Sequence, residues 1–207
     1  MSRIINLTHT IKDKMKGYPG DPIVSFKRFH KIKDIGYNFT ELTLGTHSGT
    51  HIDVPYHCIT NGSSVDKIDI NKCIGEAIVV NLNKDKKSQI DVQDFKDINI
   101  KKGSKILIKT GWSKYFGKDS FFVDFPGITP QLAKYFISKK VSLIGLEQPS
   151  VNPIKHLEVH KILLSGGVVI VETMKLNQIK KNKVFLIVIP LFLRGLDGSP
   201  VGAVAIE

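Results

Sequence analysis

The chain has 207 residues, 42% of them apolar and 24% charged, with 30 Lys and Arg against 19 Asp and Glu and a formal net charge of +11. That composition is ordinary for a soluble globular protein, the length suits one domain over 1–207, and no apolar run approaches the roughly 20 residues of a bilayer span. The charge raises nucleic acid as a partner, but arginine occurs only at Arg3, Arg28 and Arg194 and the lysines are scattered, so a solvated lysine-rich surface is expected, with no nucleic-acid or membrane partner.

The opening MSRIINLTHTIKDK lacks the apolar stretch of a secretory signal, and RIINL within it reads as a strand. Further strands are expected at IVSFKRF, FTELTL, AIVVNL, KILIKTG, VSLIGL, VVIVE and FLIVIPL. Some of these runs alternate (FTELTL) and some are continuously apolar (VVIVE), which predicts a mixed sheet. Helical periodicity is clearest over 129–140, where Thr129 can cap and Pro130 suits the first helical position. A second helix fits 153–165, with Asn152 as its cap, Pro153 at its start and Gly166–Gly167 at its end. The fold class is therefore α/β with a mixed sheet. Two cysteines, Cys58 and Cys73, are too few for a disulfide framework, so a reducing, cytoplasmic setting is expected.

Between the third strand and AIVVNL lies THSGTHIDVPYH, which holds His47, His51 and His57, three of the seven histidines, with Asp53 among them. In an extended chain, residues at even separations share a face, so His47, His51 and Asp53 would converge from one strand. Gly45, Gly49 and Pro55 argue against a helix, and Pro55 sends His57 into a loop at the strand's mouth. Two imidazoles and a carboxylate on one face are the ligand set of a first-row divalent ion, most simply Zn²⁺, with Mn²⁺ or Co²⁺ as alternatives. Three protein ligands leave an open position, the arrangement of a catalytic site. Asp53 has a second oxygen with which to bridge to a second metal. Further ligands are available in the C-terminal half: His156 and His160, neighbours on one helix face, and Glu172, which closes an apolar run. Spacing does not choose between His156 and His160. GTHSG is no nucleophile elbow, and no phosphate-binding loop occurs.

HSGTHIDVPYH resembles the H-x-G-T-H-x-D-x-P-x-H signature of the metal-dependent cyclase family, which includes kynurenine formamidases and isatin hydrolases. YPGDP (18–22), KTGW (109–112), GLEQPSV (145–151), the His160-to-Glu172 segment and GLDGSPV (195–201) fall in the family's order. The resemblance implies a swivelling β/β/α fold, a homodimer or higher oligomer, and two divalent ions per subunit. His47, His51 and Asp53 would hold the first; Asp53, His160 and Glu172 the second, which prefers His160 to His156. His57 would be the proton donor and acceptor, and Tyr18 a substrate contact where kynurenine formamidases often have Trp. It implies hydrolysis of N-formyl-L-kynurenine to L-kynurenine and formate, a step of tryptophan degradation. The alternatives are another amide or ester hydrolase of this scaffold, such as an isatin-type one, and a non-catalytic metal- or ligand-binding protein. Cys58, Glu147 and Gly202 depart from the family pattern and bear on the substrate if they line the pocket.

Overall fold

The computed structural model describes residues 2–207. Its strands are β1 (Ile4–Asn6), β2 (Ser25–His30), β3 (Phe39–Thr43), β4 (His51–Asp53), β5 (Ile74–Asn81) and β6 (Gln89–Ile90) in the first half. The second half adds β7 (Lys105–Lys109), β8 (Gly127–Ile128), β9 (Leu143–Leu146), β10 (Val169–Glu172), β11 (Lys183–Pro190) and β12 (Gly198–Ile206). The α-helices are the single turn α1 (Ile32–Ile35), α2 (Pro130–Ser138) and α3 (His156–Ser165).

The main sheet runs β1-β12-β11-β5-β7-β9-β10-β4, and β4 pairs again with β12, closing the sheet into a barrel. The pairs β5–β7, β7–β9 and β9–β10 are parallel and the rest antiparallel, the mixed sheet that the two kinds of apolar run predict. The continuous runs form the parallel part because both their faces are buried. Leu107, Leu143, Val169 and Val171 point into the barrel, while Ile106, Ile108, Ile144 and Ile170 pack beneath α2 and α3. No polar face remains for alternation to mark. β11 has one solvated face and alternates, with Val184, Leu186 and Val188 inside and Phe185 and Ile189 exposed.

α2 begins as its residues dictate: Thr129 Oγ1 accepts the Leu132 N–H at 3.1 Å and Pro130 follows in the first turn. α3 starts at His156, three residues later than the pattern suggests. Asn152 Oδ1 accepts the N–H groups of Ile154 (2.8 Å) and Lys155 (2.7 Å), so it closes a turn before the helix rather than capping it. The helix ends at Ser165 with Gly166 as its C-cap, and Gly167 takes φ +74°, as the glycine pair predicts. β12, the strand that closes the barrel, is not among the expected strands. GSPVGAVAI is poor in branched and aromatic residues, and its strand state comes from pairing with β11, β4 and β1. β2 and β3 form a separate hairpin that leaves Phe29, Tyr37, Phe39 and Leu42 exposed.

Candidate active site

β4 is short because its job is local. It is pinned on one side by β10, with His51 opposite Glu172, and on the other by β12, with Asp53 opposite Gly198. Ile52 turns into the barrel, so His51 and Asp53 share the opposite face, toward α3 and its buried His160. His47 does not belong to the strand: it sits in the preceding turn, where Gly49 takes φ +67°. The expectation that one strand presents all three residues is therefore corrected. The glycines break the extended chain, and the turn brings His47 back over the strand. A Cβ on Gly198 would lie 2.5 Å from Ile52 O and 3.0 Å from His47 Cε1, so β12 needs bare backbone there to pair with β4, and it leaves room for that ring as well. His57 ends a 3₁₀ turn, Pro55–His57, with its ring 4.2 Å from that of His47 and 5.3 Å from that of His160.

Asp53 is fully buried, and its two oxygens face different histidines. Oδ1 lies 2.8 Å from His47 Nδ1 and 3.5 Å from His51 Nε2, while Oδ2 lies 3.3 Å from His160 Nε2. Glu172 repeats the pattern, with Oε1 3.3 Å from His160 Nε2 and Oε2 3.5 Å from His51 Nε2. The tautomers follow from the carbonyls behind the rings. His51 Nδ1 donates to Gly49 O at 2.9 Å and His160 Nδ1 donates to His156 O at 2.8 Å, so both rings present Nε2 to the carboxylates. When neutral, those nitrogens are lone pairs aimed at other lone pairs. Asp53 Oδ2, His160 Nε2 and Glu172 Oε1 are buried and have no hydrogen-bond partner. Acceptors converging without a donor call for a cation, and this mixture of imidazole and carboxylate suits a divalent transition metal.

The charges follow the same logic. Burial disfavours protonated His160, yet Asp53 and Glu172 hold its pKa well above the ordinary value. Burial also disfavours ionised Asp53, but His160 and His47 pull its pKa well below the carboxylate range. For His47, burial is outweighed by Asp197 and Asp53, which raise its pKa to about 10. Each shift has one cause: carboxylates and imidazoles gathered out of water favour positive charge at the centre of the cluster.

Ligand atoms converge in two groups, His47–Asp53–His57 and His51–Asp53–Glu172. Asp53 belongs to both. The grouping differs from the division that the resemblance implies, since His57 stands with His47 and His51 stands with Glu172. His156 contributes its carbonyl to His160 and its side chain to the wall of the cavity.

That cavity, of about 250 Å³, opens over the cluster. Its floor includes His47, His51, His57, His160 and Glu172, and its walls are Tyr18, Phe116, Phe121 and Phe122. Tyr18 is edge-on to Phe122 at 6.0 Å. Trp112 is buried and donates its Nε1–H to Phe121 O at 2.9 Å, so it packs behind the wall instead of facing a ligand. Cys58, Glu147 and Gly202 do not line the cavity: Cys58 packs on the helix-side core, Glu147 is buried behind the 110–113 segment, and Gly202 faces out of β12. Of the positions that depart from the family pattern, Tyr18 alone touches the cavity.

Sequence reasoning missed Asp197. Its Oδ2 lies 2.7 Å from His47 Nε2 and 3.5 Å from His57 Nδ1, and its Oδ1 accepts from Thr46 Oγ1 at 3.1 Å. Hydrogen bonds from His47 and His57 hold its carboxyl far below the usual range. The available signal was its place in GLDGSPV, a segment noted only for its order along the chain.

The barrel, the helical cover and the buried His/Asp/Glu cluster beneath an aromatic-walled cavity define a candidate metal site open to a small molecule. The Cyclase family model matches residues 5–153. The chain is 34% identical to the kynurenine formamidase of Geobacillus thermodenitrificans, over 98% of this chain and 97% of that one. It is 30% identical to that of Bacillus cereus ATCC 10987, with the same coverage. Among solved structures, isatin hydrolase A from Labrenzia aggregata superposes with a TM-score of 0.88 at 22% identity, covering 99% of this chain and 93% of the other. An isatin hydrolase bound to thioisatinate gives 0.90 at 21%, covering 100% and 92%. The chain belongs to the cyclase family, and it is a hydrolytic enzyme.

Proposed function

We propose that this protein hydrolyses N-formyl-L-kynurenine to L-kynurenine and formate, a step of tryptophan degradation. The observation that carries the reading is the cluster of unpartnered Asp53, His160 and Glu172 atoms beneath an aromatic-walled cavity, in a chain similar over its length to kynurenine formamidases. His47, His51 and Asp53 would hold one divalent ion, and Asp53, His160 and Glu172 a second, most simply Zn²⁺, with Mn²⁺ or Co²⁺ as alternatives. When bound, such ions supply Lewis acidity, lowering the pKa of water from about 15.7 toward about 7 and favouring negative charge on the acyl oxygen.

The chain's own residues do the rest. Tyr18 and the phenylalanines hold the aryl ring and exclude water, which places the formamide over the histidines. His57 takes a proton as water's oxygen bonds to the formyl carbon, then delivers one to the arylamine nitrogen as the C–N bond breaks. Asp197 holds His57 and His47 in register from behind. We place the enzyme in the cytoplasm, in keeping with two unpaired cysteines, and read it as a homodimer or larger, since the β2–β3 hairpin exposes Phe29, Phe39 and Leu42.

The test is hydrolysis of N-formyl-L-kynurenine by metal-stripped protein and by samples restored with Zn²⁺, Mn²⁺ or Co²⁺. Activity that returns only with metal, at kcat/KM of about 10⁴ M⁻¹s⁻¹ or more, is expected. Two bound metals without turnover would move the substrate elsewhere; no bound metal under any condition would end the reading.

A further inference from the structure

We propose that Lys16 and Asp21 at the rim of the cavity form a subsite for the α-amino-acid tail of the substrate, with Lys16 taking its carboxylate and Asp21 its ammonium. The inference rests on the formamidase reading and deepens it. The ring and formamide of such a substrate suit aromatic walls above a histidine floor, but its tail carries one charge of each sign and needs partners for both. Among the described residues, Lys16 is the one lysine or arginine lining the cavity, and Asp21 the one acid besides Glu172, which lies within the histidine cluster. Both belong to the loop that also carries Tyr18. The loop is closed at its ends by the Val24 N–H donating to Met15 O at 3.1 Å and turned within by the Asp21 N–H donating to Tyr18 O at 2.9 Å. Two opposite charges and an aromatic ring are thus presented together.

Lys16 Nζ lies 3.0 Å from Asp119 Oδ1, with the side chains 70% and 87% exposed. A pair so open to water is held weakly, and a substrate carboxylate can displace Asp119. The link also suggests a purely structural alternative, in which Lys16 only ties its loop to the 119–122 turn that supplies Phe121 and Phe122. Variants separate the two roles.

The experiment compares N-formyl-L-kynurenine with formanilide, which has the same reacting group and no tail, on the metal-loaded protein. Lys16→Met is expected to raise KM for N-formyl-L-kynurenine roughly tenfold more than KM for formanilide, the scale of one charge-assisted hydrogen bond. Asp21→Asn should shift the same ratio in the same direction. Asp119→Asn should leave the ratio at or below the wild-type value, because it frees Lys16. Equal effects of Lys16→Met on both substrates, or an Asp119→Asn variant that copies it, would overturn the subsite. Wild-type protein that hydrolyses formanilide but shows no lower KM for N-formyl-L-kynurenine would overturn it while leaving the hydrolase standing. Turnover of neither substrate would defeat the formamidase reading and the subsite with it.

Discussion

At the scale of single residues, the site is a balance of charges in a buried place. Asp53 faces one set of histidines with each oxygen, so Asp53→Asn replaces a bridging acceptor with an amide that can offer only one. Metal analysis of that variant should find both positions depleted; two retained ions would exclude the bridging role. His57→Ala should keep its metal and lose kcat, by a factor of about 10²–10⁴ for a general acid–base. Loss of metal in parallel would make His57 a ligand beside His47 and Asp53. Asp197→Asn keeps the shape but loses the charge that orients two imidazoles. Activity or metal affinity should fall about 10–100-fold, and wild-type values for both would remove Asp197 from the machinery. His9 supplies a prediction outside the cluster. It stacks on Phe116 at 3.9 Å, and burial, aided by Lys175, lowers its pKa from 6.5 to about 4. Between those values the unfolded chain binds a proton that the folded chain refuses. The stability due to neutral His9 is therefore complete above 6.5 and is lost as pH falls toward about 4. Thermal melts across this window should show a shallower pH slope for His9→Phe than for wild type.

Between elements, the cavity wall hangs on one buried carboxylate. Glu147, at the end of β9, accepts the N–H groups of Thr110, Gly111 and Trp112 through Oε2 and the Ser113 hydroxyl through Oε1 at 2.7 Å. Three backbone donors converging on one oxygen form an anion-holding nest. Trp112 then donates to Phe121 O, so the clamp passes from the sheet to the phenylalanine that lines the cavity. Glu147→Gln puts an amide where that nest needs a charged acceptor. Denaturant unfolding should show a loss of about 2–4 kcal/mol, and a variant as stable as wild type would show the clamp to be dispensable. The sequence marks Glu147 only as a departure from the family's Asp. Its partners lie some 35 residues away, and no local pattern encodes them.

For the whole molecule, the site and the barrel's closure are the same place. β4 completes the ring by pairing with β10 and β12, and it carries His51 and Asp53; Glu172 is on β10 and His160 on α3. An ion held there ties three elements at the seam, so metal removal should lower Tm as well as activity. Free metal at 100 times its dissociation constant adds about 2.7 kcal/mol of stability. A Tm indifferent to chelation would contradict this coupling. Assembly is tested on the exposed hairpin: sedimentation should find a dimer or larger species that Phe39→Asp with Leu42→Asp dissociates, and a double variant that sediments as wild type would show that those residues face only solvent.

The sequence by itself determined the mixed sheet, the start of α2 and the end of α3, and it singled out the imidazoles and carboxylates of THSGTHIDVPYH as candidate ligands. Each rests on short-range physics: the period of a strand, the capping oxygen of Thr129, glycine's tolerance of positive φ, and the chemistry of imidazole and carboxylate. The tertiary structure decided the rest. It placed His47 in a turn, because glycine-flanked backbone leaves the strand. It made a strand of GSPVGAVAI, because three neighbours supply its hydrogen bonds. It brought Asp197 to His47 and His57 across more than a hundred residues of chain, a contact that only closure of the barrel creates.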